Sequence, residues 1–140
     1  ILTEIAAIER DELAPYLAIL NKLAPPIEVL DEFVPAYTRH LSAPETVILG
    51  LEITGEAIRQ QTIANLFTDS RNTLIKAMAD LLERGVKDGS FNDMPNTVET
   101  AYLILQVMEG TAFRHGIERV SIEKLTHNQL SFIHSAVVAR

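Results

Sequence analysis

Glu52 and Glu56 stand four residues apart, as do Glu123 and His127, and these are the pairs in the chain whose types and spacing could do chemistry. Residues four apart share a helix face, so each pair could present two ligating or proton-transferring groups together. Neither has the company such chemistry needs. A di-metal site inside a helical bundle takes Glu-x-x-His pairs on two helices plus further inward glutamates, and the chain contains no Glu-x-x-His. Glu123 and His127 therefore read as a surface i,i+4 contact, with a metal-ligand pair as the alternative. Glu52 and Glu56 read either as a solvated face with Arg59 nearby or as two acids lining a pocket. A Ser-His-acid triad has no local signature to find, and no glycine-rich phosphate loop is present. The expectation is a protein that is not an enzyme and holds neither metal nor cofactor.

A binding chemistry is better supported, by the segment from Ala101 to Phe113. With Tyr102 at zero and about 100° per residue, Gln106, Glu109 and Phe113 fall in the same narrow sector of a helix. Ile104, Val107 and Thr111 fall on the other side. The first sector mixes aromatic surface with polar groups, as ligand pockets do; the alternative is a core stripe whose polar members bond locally. Because the helix is apolar nearly all round, both sides have reason to be covered.

The elements that must position these groups are helical. No window alternates apolar and polar residues at period two, and helical spacing dominates throughout, so the chain reads as one all-α domain over residues 1–140, a bundle of about six helices. A first helix carries Ile1, Ile5 and Ile8 onward to Leu23, with Pro15 expected to kink or split it. Pro25-Pro26 ends it and opens a second, marked by Ile27, Leu30, Phe33, Val34, Tyr37 and Leu41, with a bend expected at Pro35. Ser42-x-x-Glu45 reads as a capping box for a third, Pro44 to Arg59. A fourth runs from about Gln61 to Lys87, its join to the third either a break or seamless, with Phe67, Leu74 and Met78 on one face and Arg71 and Arg84 available to water. The fifth spans Thr97 to His115, capped by Asn96, and the sixth Ser121 to Val138, joined through Gly116. Leu130, Ile133 and Val137 on the sixth are interleaved with polar residues, a mixture that suits a subunit interface.

Composition narrows the partners. The chain is 47% hydrophobic and 22% charged, enough for a folded core at 140 residues. Twelve basic against nineteen acidic residues give a net charge of -7, which repels a phosphate backbone. The absence of cysteine fits a reducing cytoplasm, and no apolar run reaches the ~20 residues of a membrane span.

The junction between the fourth and fifth helices is the most distinctive stretch. Arg84-Gly85, then Gly89-Ser90-Phe91, then Glu109-Gly110 occur in that order. Gly89 can take the left-handed conformation past a helix end, and Phe91 follows as an apolar plug. Upstream, Leu51-Glu52-Ile53-Thr54-Gly55-Glu56-Ala57-Ile58-Arg59 fits an L-E-x-x-x-E-A-x-R run. In this order and spacing the chain, over about its whole length, resembles the C-terminal ligand-sensing and dimerisation domain of TetR-type transcriptional regulators.

That resemblance implies a homodimer through the fifth and sixth helices, with Ile104, Val107, Thr111, Leu130, Ile133 and Val137 in the interface. It implies a small-molecule effector in a cavity bounded by the first five helices, walled by Phe33, Tyr37, Phe67, Tyr102 and Phe113 with Glu52, Glu56, Gln106 and Glu109 as polar groups. Uncompensated acids there would favour an amine-bearing effector. The family's helix-turn-helix has no counterpart here, and the chain begins at Ile1 within a helical pattern, so DNA would be reached only through a part lying outside it. The competing expectation is a helical protein-interaction module without a cavity.

Overall fold

Pro26 and Pro44 occupy first turns, where the amide hydrogen that proline lacks is not needed, and they open two of the six helices of the computed structural model, which describes residues 1–140. The helices are α1 (Leu2–Leu20), α2 (Pro26–Ser42), α3 (Pro44–Arg59), α4 (Gln61–Asp88), α5 (Thr97–Glu118) and α6 (Ile122–Val137). The protein is an all-α bundle, as its periodicity requires. No helix is long and apolar enough to cross a membrane.

Several ends are set by the expected residues. Gly89 adopts φ 84°, the left-handed stop of α4. The Asn96 side chain accepts the Glu99 amide and the Ser121 hydroxyl accepts the Lys124 amide, opening α5 and α6. Others differ. Pro15 and Pro35 lie inside α1 and α2 without ending either helix. Ser42 does not cap α3; it closes α2, and Ala43 precedes Pro44 with no side-chain cap. Gly116 does not end α5, which runs on to a left-handed Arg119 at φ 56°.

The turn after α4 is a structural joint. A Cβ at Gly85 would overlap the Phe91 ring, so glycine is what lets Phe91 seat against α4, and Phe91 is 3% exposed. The Phe91 amide donates to the Gly85 carbonyl at 3.0 Å; the Asn92 amide donates to the Val137 carbonyl at the end of α6, and the Ala139 amide just beyond it donates to the Ser90 carbonyl. Arg84 is not merely solvated: its Nη2 donates to the Leu20 carbonyl at 3.2 Å, satisfying an end of α1.

The core is lopsided. Twenty buried apolar residues form one cluster drawn from α1, α2, α4, α5, α6 and Phe91, and α3 contributes none. Across that core, a polar bridge joins three helices. Thr38 on α2 donates to Gln129 Oε1 on α6. Gln129 Nε2 in turn donates to the Met108 carbonyl at 3.3 Å and to the Thr111 hydroxyl on α5. Gln129 is 2% exposed, and its bonds supply the partners that a buried amide requires.

Candidate functional site

Away from that core the bundle is looser. No residue of α3 is buried, although α3 lies against α2, α4 and α5. Its inward positions Val47, Ile53 and Ala57 are only half-buried, and so are Leu66 and Phe67 on α4 and Phe113 on α5. A helix of 16 residues whose apolar side chains are only half-covered where it meets its neighbours is packed more loosely than the core.

At the boundary between the tight core and this looser end stands Arg71. Its Nη1 pairs with Glu109 across the α4–α5 seam, both side chains being about two-thirds covered. Its guanidinium lies 5.6 Å from the centre of the Tyr102 ring, within cation–π range. Its Nη2 is buried and has no hydrogen-bond partner. The antiparallel register set by Arg71 and Glu109 places Phe67 and Phe113 one turn further along both helices toward α3. Glu9 on α1 lies within the field of Arg71, yet its carboxyl is pushed above the usual range, by burial first and then by Glu12. Tyr37 is in the same field, and burial raises its hydroxyl far above its ordinary range.

The sequence-predicted residues distribute unevenly around this seam. Tyr102 and Glu109 meet there through Arg71, and Phe67 and Phe113 flank it. Phe33 and Tyr37 belong to the packed core, at 0% and 4% exposed. Gln106 and Glu52 face outward, and Glu56 pairs with Arg59 on the outside of α3. Tyr102 also borders a surface groove of about 410 Å³ with Asn72, Ile75, Val98, Glu99 and Leu103. Of the three acids, Glu109 is paired with Arg71 and Glu56 with Arg59, and Glu52 is exposed to water, so no unpaired acid is held inside the bundle to favour an amine-bearing ligand.

Of the residues expected at a subunit interface, three lie inside the single chain. Ile104, Ile133 and Val137 are core residues, at 5%, 2% and 1% exposed. The side of α5 bearing Ile104, Val107 and Thr111 is covered by α6 of the same chain, as the Thr111–Gln129 bond shows. Val107, Thr111 and Leu130 are half-buried, the first two lining an α5–α6 groove of about 300 Å³ beside Phe132. The outward stripe of α5 is Leu103, Gln106, Gly110, Arg114 and Ile117, continued by Phe132 on α6. A nearly all-apolar helix does not reveal which flank its own chain will cover.

Arg71 and Gln129 were missed, and both carried a signal. Arg71 sits four residues after Phe67 and three before Leu74, in phase with the apolar stripe. Gln129 lies midway between Leu125 and Ile133. A polar residue in core phase has to find partners.

A pH dependence follows from the aromatic cluster on the α1–α2 side. The His40 ring lies 5.1 Å from Tyr16 and 5.9 Å from Tyr37 by ring centres, and burial lowers its pKa from 6.5 against the opposing pull of Glu12. The folded state then binds fewer protons than the unfolded chain just below pH 6.5, so stability falls as pH drops through that window. Glu9, raised from 4.5, acts oppositely, adding stability as pH falls toward 4.5. Melting temperature measured against pH is expected to decline below 6.5 in the wild type and to lose that decline in His40→Gln.

The structure is a six-helix bundle with a packed core and one helix, α3, that adds no buried residue to it. No family model, curated protein or solved structure matches the chain.

Proposed function

We propose that this chain is the effector-sensing and dimerisation part of a TetR-like transcriptional regulator of the cytoplasm, acting on DNA through a helix-turn-helix outside these residues. The observation that carries the reading is α3, a full-length helix with no fully buried residue, packed against α4 and α5, the two helices joined by the part-buried Arg71–Glu109 pair. Ligand sites are mostly apolar spaces with a few placed polar groups, and the region where the three helices meet has this composition. The order of the Arg84-Gly85, Gly89-Ser90-Phe91 and Glu109-Gly110 motifs supports the same class. The exposed stripe on α5 and α6, with Leu103 at 61%, Ile117 at 60% and Phe132 at 52%, suits self-association about a two-fold axis.

The mechanism is a shift of equilibrium. A small apolar or amphipathic molecule entering between α3, α4 and α5 favours the arrangement that binds it better, and only that difference in affinity moves the helices. A helical interaction module is the second reading, favoured by Ile48, Leu51 and Ile58 standing exposed on α3.

Sedimentation velocity at tens of micromolar combined with a thermal-shift screen separates the two. The regulator reading expects the mass of two chains and stabilisation by small apolar compounds. A monomer that no small molecule stabilises would sink it. The net charge of -7 adds that the chain alone leaves random duplex DNA unshifted in a gel at physiological salt.

A further inference from the structure

We infer that the outer face of α3 is a second contact surface, and that its occupant is the α3 of another copy of this chain, laid antiparallel about a two-fold axis. Ile48, Leu51, Gly55 and Ile58 follow the alternating three and four spacing of a heptad row. At about 100° per residue they fall on one side of the helix, and Ile53 and Ala57, on the opposite side, are half-buried where α3 meets the bundle. Ile48, Leu51 and Ile58 stand exposed, Ile58 at 81%. The single chain leaves the large members of the row bare.

The row is complementary to itself. Reversed end for end about Ile53, it sets Ile48 against the partner's Ile58 and Leu51 against the partner's Gly55, so each leucine enters the gap that a glycine leaves. A Cβ at Gly55 would meet only the Arg59 guanidinium, at 3.7 Å, so the outer side of that position is open to an approaching side chain. Charge agrees with shape. Glu45, Glu52 and Arg59 lie at intervals of seven along one edge of the row. In an antiparallel pair each edge faces its own copy, which brings Glu45 beside the partner's Arg59 at both ends and Glu52 beside the partner's Glu52 at the centre. Arg59 holds Glu56 through Nη2, yet its side chain is 65% exposed and its fork of five donors leaves others for a second carboxylate. Two attractive pairs against one repulsive pair leave the edge complementary, and the repulsive one is a signature, because self-pairing is what sets Glu52 against Glu52.

A single row on a 16-residue helix covers less than the ~800 Å² per partner of a standard interface. The pairing is therefore weak, and it uses a surface separate from the outward stripe of α5 and α6. The chain contains no cysteine, so one introduced thiol reports this contact without interference. Glu52→Cys, held in a glutathione redox buffer at about 0.1 mM, a concentration suited to weak association, is expected to give a disulfide-linked pair of chains on a non-reducing gel. The yield should exceed about tenfold that of Asp93→Cys, placed in an exposed turn, a ratio worth ~1.4 kcal/mol. Adding Ile58→Asp sets a carboxylate in the apolar row and should cut the yield about tenfold, with the helical spectrum kept because Ile58 is exposed. Adding Leu103→Asp, on α5, should leave it in place. Without any cysteine, Glu52→Gln removes the central repulsion and should raise the mean mass in sedimentation equilibrium at the same concentration. Crosslinking no greater than that of Asp93→Cys, or indifferent to Ile58→Asp, overturns the inference and is the result expected of a face reserved for a different protein. A Glu52→Gln chain no heavier than wild type overturns the antiparallel register. None of these outcomes bears on effector sensing.

Discussion

Phe33→Ala is expected to destabilise the chain by about 3–5 kcal/mol, the range for deleting a fully buried aromatic side chain. Phe33 is 0% exposed, and its ring stacks on Tyr37 at 5.2 Å, which in turn meets Tyr16 at 5.3 Å. Removing it leaves a void bordered by rings that cannot collapse into it without leaving their own contacts. Tyr102→Ala is the informative contrast, because Tyr102 is 45% exposed and has far less area to lose. Its cost should fall well below that of Phe33→Ala in urea denaturation followed by circular dichroism. Equal costs would mean that the wall of aromatic residues read from the sequence is one continuous core, and that the division between packed core and loose end is wrong.

That division explains how far the sequence could be read. Helix α3 has its start written locally in Pro44, and the structure keeps it; its end is not so written, since nothing in the residue types separates it from a fourth helix that could have continued seamlessly, and the break is made by the extended backbone of Gln60. Gly89 and Phe91 are legible for the same reason as Pro44: a left-handed stop and an apolar plug are properties of neighbours in the chain. Ser42 misleads because its capping pattern is satisfied by composition alone, while the third dimension buries it at 5% exposed at the end of α2. Arg71 looks like a water-facing cation until Glu109, 38 residues away, is brought opposite it. The aromatic group of Tyr16, Phe33, Tyr37 and His40 joins α1 to α2, and the pairing of two helices is not encoded in the periodicity of either. What is lost from sequence is the phase of near-uniformly apolar helices, and α5 is the case with the largest consequence.

That phase yields the last prediction, in which Ile133→Asp and Leu103→Asp have opposite effects although both lie on the two helices expected to face a second copy. Ile133 is 2% exposed within its own chain, so an aspartate there places a carboxylate in an apolar interior with no partner. Such a charge costs several kcal/mol even after the pKa shifts, comparable to the ~5–15 kcal/mol that holds a domain together. The expected result is loss of the cooperative thermal transition. Leu103 is 61% exposed, so the same carboxylate there meets water in the single chain, and the intrachain core is untouched. Gly110, one to two turns along the stripe, has open space where a Cβ would stand, which leaves room for a neighbouring helix to approach. Leu103→Asp should therefore keep its helical spectrum and, with the outward stripe as the surface where two copies would meet, sediment at a smaller mass than wild type at tens of micromolar. If Leu103→Asp sediments like wild type, the outward stripe of α5 is not where two copies meet; if Ile133→Asp melts like wild type, Ile133 is not in the core.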